Sequence, residues 1–268
     1  MDNFSESKKT NSMHPTLKKI LSRSLVYRLE LLRRLSSLFL PEYRFFKWPQ
    51  MTWWQSKQFS DYLRRFGEEY GYNADRRWMV SQLLRLVDTV PGDTAEVGCY
   101  RGAMSWLICQ ANDKVRDQYD RFHHIFDSFE GLSTPGSKDG DHWKEGALCC
   151  GENLLRAMLS DFIDNLYTYK GWVPERFNEI GSLSFAFVHI DVDLYLPTLR
   201  SLEFFYPRLS PGAILVCDDY GFTSCPGATI ACNEYLKDKP EAMIQLADGG
   251  GFIIKGLQTA SETFYIRC

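Results

Sequence analysis

The sequence predicts an α/β fold: a doubly wound, mostly parallel sheet of seven strands, preceded by an N-terminal helical arm. Three observations carry this. Short β-rich runs alternate with helical stretches from residue 94 to residue 256. Acidic residues and glycines recur at the carboxyl ends of those runs, where open sheets of this kind bind ligands. The composition, 44% hydrophobic and 15% aromatic over 268 residues, suits one large α/β domain or a domain with an appended arm.

Residues 1–15 are polar and read as a disordered tail, without the apolar stretch of a secretory leader. Residues 16–75 form the arm and linker, and 76–268 the main domain. Within the arm, 17-LKKILSRSLVYRLELLRRLSSLFL-40 has helical periodicity, with leucines and Ile20 on one face and Lys19, Arg23, Arg33 and Arg34 opposite. Pro41 closes it, and 45-FFKWPQMTWW-54 is an aromatic linker. Residues 55–90 read as two helices, the second ending at Pro91-Gly92.

Strands are then expected over 94–98, 122–127, 166–171, 184–191, 212–219, 243–247 and 251–256. Helices are expected over 102–113, 152–162, 196–209 and 227–238, and a glycine turn (Gly249, Gly250, Gly251) joins the last two strands.

Charge and cysteine content exclude several classes. A net charge of -3 is wrong for a dedicated nucleic-acid binder. None of the eight cysteines forms a C-x-x-C pair, so a zinc ribbon or thioredoxin-like site is not expected, and free thiols point to a reducing, cytoplasmic compartment. No run is long enough to span a bilayer. The first fifty residues nevertheless hold ten Lys/Arg against four Asp/Glu. Two readings of helix 17–40 stand: it packs on its own domain or on a second copy, or it lies on anionic lipid as a membrane-peripheral element.

The strand ends carry the chemistry. In 96-EVGCYRG-102, Gly98 permits a tight turn and Gly102 a close approach at the helix start. The G-x-G-x-x-G of dinucleotide sites is absent, and Glu96 before the turn favours a ligand that is cationic and hydroxyl-rich, as S-adenosylmethionine is. Asp127, ending the second strand, is placed to accept ribose hydroxyls. Asp191, Asp218 and Asp219 converge from adjacent strand ends and would repel one another without a cation between them. Hard oxygen ligands favour Mg2+ over zinc. His189 reads as a buried, hydrogen-bonded histidine, and the polar loop 138–146 as a lid, with His142 a candidate second base.

Seven blocks, 91-PGDTAEVGCYRGAMS-105, 126-FDSFEGL-132, 138-KDGDHWKEG-146, 170-KGWVPERF-177, 189-HIDVDLYLPTL-199, 216-VCDDYG-221 and 225-CPGA-228, together resemble the macrocin O-methyltransferase family. The resemblance implies the class I methyltransferase, Rossmann-like version of the sheet. It also implies S-adenosylmethionine-dependent methylation of sugar hydroxyls on natural products. It assigns Mg2+ to Asp191, Asp218 and Asp219, the general base to Asp193, and contact with the cofactor ribose to Asp127 and Ser128. The chain departs from the family pattern at Thr229 and Asn233, where an Arg and an Asp are usual.

Methyl transfer requires an acceptor oxygen in line with the sulfonium, and a sugar hydroxyl needs its pKa lowered by a Lewis acid and its proton taken by a base. A catechol or other phenolic diol would chelate the same metal, and a non-catalytic docking module could keep the fold; both remain open from sequence.

Overall fold

The computed structural model describes residues 27, 28, 31, 32, 35, 51–68 and 73–259. The expected tail and most of the basic helix 17–40 lie outside them; its described residues are helical, with Tyr27, Leu32 and Leu35 exposed. The chain divides into two units, residues 1–65 and 66–268. In the first, a 3-10 turn over Thr52–Gln55 leads into helix α1 (Lys57–Phe66). Trp53, Phe59 and Tyr62 are buried there, Phe59 lying edge-on to Trp53 and stacked on Tyr62.

The second unit opens with α2 (Ala74–Leu83), whose last turn tightens into a 3-10 segment, Leu84–Val87. Then come β1 (Asp93–Val97), α3 (Ala103–Lys114), β2 (His123–Asp127), α4 (Glu152–Met158), β3 (Leu166–Lys170) and β4 (Phe185–Ile190). The chain continues through α5 (Tyr195–Phe205), β5 (Leu209–Cys217), α6 (Pro226–Leu236), β6 (Ile244–Gln245) and β7 (Gly251–Ile254). The seven strands form one sheet in the order β3-β2-β1-β4-β5-β7-β6. β1 to β5 pair in parallel, and the β6–β7 hairpin adds an antiparallel edge, as the glycine turn indicates.

Periodicity explains the elements. Every residue of β4, FAFVHI, is buried, as expected of a central parallel strand covered on both faces. Phe126, Phe177, Phe185 and Phe205 meet edge-to-face in the core, with centroid distances of 5.1–5.8 Å. A second cluster, with Ile125, Leu155 and Leu159 at its centre, seats α4 beside α3.

Register positions the site. Val97 pairs with both Phe126 and Ile190, and Ile190 pairs with Cys217. The four strand ends are therefore level, and the residues that follow them, Gly98, Asp127, Asp191 and Asp218, emerge on one rim.

Candidate active site

The strand order reverses between β1 and β4, the place where a doubly wound sheet opens a crevice. A cavity of about 350 Å3 lies there, lined among others by Gly98, Asp127, Trp143, Trp172, Asp191 and Asp219. Gly98 makes the crevice possible. It has a φ of 83°, and a Cβ on it would lie 1.9 Å from the carbonyl oxygen of Asp191.

On the β2 side, Asp127 is locked by backbone donors. Its Oδ2 accepts from the Cys99 N–H at 2.8 Å and from the Cys99 thiol at 3.3 Å, and its Oδ1 from the Phe129 N–H at 2.7 Å. A carboxylate has about four acceptor positions, so it keeps capacity for a ligand hydroxyl. Ser128 lines the same cavity, but its hydroxyl is used locally, donating to the Gly131 carbonyl and accepting from the Glu130 N–H.

Two cofactor residues expected from sequence are placed elsewhere. Glu96 does not line the cavity and is 1% exposed. Its carboxylate accepts from Ser105 and lies 3.3 Å from His189 Nδ1 and 3.7 Å from His123 Nε2. Burial opposes its ionisation, but those two imidazoles hold it at a pKa of about 2. Strand alternation is the reason: Val97 lines the cavity, so Glu96 beside it on β1 points to the opposite face of the sheet, where it meets His189. Gly102 also lies outside the cavity lining. A Cβ there would come 2.6 Å from Leu155 Cδ1, so this glycine serves the close seating of α4 against the start of α3.

The acidic rim has internal order. Asp218 is bound by Arg76, which donates from Nη1 to its carboxylate and, at 3.2 Å, to its carbonyl. His189 Nε2 lies 3.5 Å from the other oxygen. Burial works against the charge, yet Arg76 and His189 hold Asp218 well below the usual carboxylate range. His189 is raised to about 10 despite its burial because Asp218 and Glu96 flank it. Asp191 is different. Burial, then the charges of Asp218 and Asp219, push it well above the usual range, and among the described residues its carboxylate accepts no hydrogen bond. Asp219 is raised in the same way.

Asp193 no longer follows strand geometry. β4 stops at Ile190, and Asp193 takes a φ of 59°. Its N–H donates to Asp219 Oδ2 at 2.8 Å, and burial first, then Asp191, raises its carboxyl to about 7. The left-handed turn separates the two aspartates of the D-x-D pair. Potential ligand atoms of Asp191, Asp218 and His189 lie within 4.8 Å of one another, and so do those of Asp193, Asp219 and Cys225. The trio expected from sequence is thus shared between two adjoining groups. Hard carboxylate oxygens in mutual repulsion, one of them without a donor, fit a divalent cation.

Sequence reasoning missed Arg76, Asp139, Trp143 and Cys225. Asp139 is buried and accepts from the Tyr195 N–H, at the start of α5, and from the Gly136 N–H. Trp143 lines the cavity, whereas His142 is exposed, is absent from that lining and packs on Trp143. The quoted blocks contained Asp139, Trp143 and Cys225 but gave no direction for their side chains. Thr229 and Asn233, the two departures from the family pattern, fasten the turn after β5 to α6, accepting from the Gly221 N–H and the Tyr220 hydroxyl.

Comparison with known proteins finds related O-methyltransferases. A 4'-O-methyltransferase of 8-demethyl-8-(2,3-dimethoxy-alpha-L-rhamnosyl)-tetracenomycin-C from Streptomyces olivaceus is 30% identical over 153 residues, 53% of this chain and 58% of that protein. The mycinamicin III 3''-O-methyltransferase of Micromonospora griseorubida is 30% identical over 156 residues, 52% and 59% of the two chains. The chain thus spans less than two thirds of the length of these curated relatives. Among solved structures, the O-methyltransferase NovP superposes with a TM-score of 0.59 at 25% identity, over 68% of this chain and 80% of its own. The calicheamicin methyltransferase CalS11 has the same fold, with a TM-score of 0.58 at 22% identity over 96% and 100% of the two chains. The profile of the macrocin-O-methyltransferase (TylF) family matches residues 76–248, from the arginine that binds Asp218 to the turn before β7, and the chain belongs to that family.

Proposed function

We propose that the chain transfers the methyl group of S-adenosylmethionine to a sugar hydroxyl of a glycosylated small molecule, with Mg2+ as its metal. The observation that carries this is the cavity at the strand reversal. It has a backbone-locked carboxylate, Asp127, on the β2 side and four carboxylates, Asp191, Asp193, Asp218 and Asp219, on the β4–β5 side. The Streptomyces olivaceus relative, named for methylation on a rhamnosyl compound, supports a sugar acceptor.

Asp127 would take the ribose hydroxyls, and Gly98 admits the cofactor to the floor of the crevice. Asp191 and Asp219, with Asp218, would hold Mg2+, which when bound supplies Lewis acidity that lowers the pKa of an acceptor hydroxyl. Arg76 holds Asp218 in place, and His189 braces it from within the sheet. Asp193, buried beside the carboxylates that would hold the metal, is placed to act as the general base. The 131–148 loop, through Trp143, walls one side of the cavity.

The test is mass spectrometry with isotopically labelled S-adenosylmethionine over a panel of glycosides, with a catechol beside them. Methyl gain on a glycoside, lost with EDTA and restored by Mg2+, is expected. Turnover of the catechol alone would replace the sugar reading, and chelator-insensitive turnover would remove the metal.

A further inference from the structure

Cys225 immediately precedes α6 and is 3% exposed. Its thiol donates to Asp193 Oδ1 at 3.4 Å. Its sulfur accepts from Trp143 Nε1–H at 3.2 Å, with the Ser224 hydroxyl at 3.6 Å. The Cys225 thiol and the Asp219 carboxyl are the side-chain hydrogen-bond partners of the Asp193 carboxyl among the described residues.

The backbone around this thiol is fixed. Pro226 opens the helix, and a Cβ on Gly227 would fall 1.9 Å from Asp139 Oδ1 and 2.7 Å from the Tyr195 nitrogen. Asp139 in turn ties the 131–148 loop to the start of α5, and the same loop supplies Trp143. One sulfur therefore joins a loop that walls the cavity to the Asp193 carboxylate.

Resting on the methyl-transfer reading above, we propose that Cys225 is a positioning residue for Asp193. Its thiol holds one carboxylate oxygen and leaves the other to take the acceptor's proton. Trp143, bound to the same sulfur, makes that orientation depend on the 131–148 loop being seated. The residue acts through Asp193 and touches neither substrate nor cofactor in this role.

The test compares Cys225→Ala, Cys225→Ser and Trp143→Phe in the full chain with labelled S-adenosylmethionine and the best glycoside acceptor. Rates are taken per cofactor-binding site counted by calorimetry, so loss of folded protein does not enter. Loss of one hydrogen bond to a working carboxylate is worth about tenfold. Cys225→Ala should lower kcat by about that factor and leave both KM values within roughly twofold, and Cys225→Ser, which keeps a donor, should recover most of it. Trp143→Phe should lower kcat in the wild type and add nothing in the Cys225→Ala background. Wild-type kcat in Cys225→Ala, no recovery by serine, or additive Trp143 and Cys225 effects would each overturn the proposal.

A second measurement needs no turnover. The infrared S–H stretch of Cys225, isolated as the wild-type minus Cys225→Ser difference, should move in Asp193→Ala. An unmoved band overturns the contact. A band that moves in a protein transferring no methyl group counts against the proposed reaction and leaves the contact standing.

Discussion

Gly98→Ala tests whether the crevice is set by backbone contact. A Cβ at this position carries two costs. The φ of 83° places it in the left-handed region, at about 1 kcal/mol for alanine. The second cost is the 1.9 Å approach to the Asp191 carbonyl oxygen, which is backbone and cannot rotate away. The end of β4 must move, and overpacking of this kind costs about 1–3 kcal/mol. The total is about 2–4 kcal/mol, and at roughly 2–4 °C per kcal/mol the melting temperature should fall by roughly 5–15 °C. Gly256→Ala is the matched control, because Gly256 has a φ of 86° with nothing within 4 Å of its absent Cβ. It should lose only the conformational part. Thermal unfolding by circular dichroism reads both variants, and calorimetry with Mg2+ reads the displacement of Asp191. If Gly98→Ala melted within a degree or two of Gly256→Ala, the contact between the β1 turn and Asp191 would not fix the crevice.

Asp127→Ala should weaken S-adenosylmethionine binding by about one to two orders of magnitude in calorimetry, since a charged acceptor bond is worth about 1.5–3 kcal/mol; unchanged affinity would refute the ribose role. Glu96 has a folded pKa of about 2 against 4.5 for the free side chain, so its stabilising contribution is complete above pH 4.5 and is lost as the pH falls toward 2. It is worth roughly 3 kcal/mol, and Glu96→Gln should flatten the stability profile across that interval, measured by urea unfolding at stepped pH. Gly227→Ala should expel Asp139 from the start of α5 and hasten proteolytic cleavage within 131–148, with cleavage sites mapped by mass spectrometry; an unchanged rate would show that Asp139 does not fasten the loop.

Most of the sheet was legible because burial on both faces leaves a simple mark. FAFVHI can satisfy its environment only as a central strand. β5 was read as starting at residue 212, too late. In the structure the strand begins at Leu209 and absorbs Pro211 and Gly212 as an irregularity in its pairing with β4. The site divides in the same way. Residues whose role follows from being last on a strand, such as Asp127 and Asp191, could be placed on the rim by counting. Glu96 and Gly102 could not, because spacing locates a Cα and says little about which surface a side chain meets. Arg76 was beyond reach for another reason: its partner Asp218 lies 142 positions away, and no local pattern encodes that pairing.

The buried ionic line across the sheet has a consequence for how the chain tolerates cutting. Glu96 on β1, His189 on β4, Asp218 beyond β5 and Arg76 on α2 neutralise one another in series, and His123 on β2, pushed toward its neutral form by burial, stands at the Glu96 end. The series draws on five segments and closes only when the last of them is present. A fragment ending before Asp218 would leave Arg76 without its carboxylate and the His189 imidazole with only Glu96, in a largely buried setting. Split versions of this fold, and shortened versions that stop after β4, should therefore fail together instead of losing stability by degrees. A permuted chain that keeps all five segments is spared that failure.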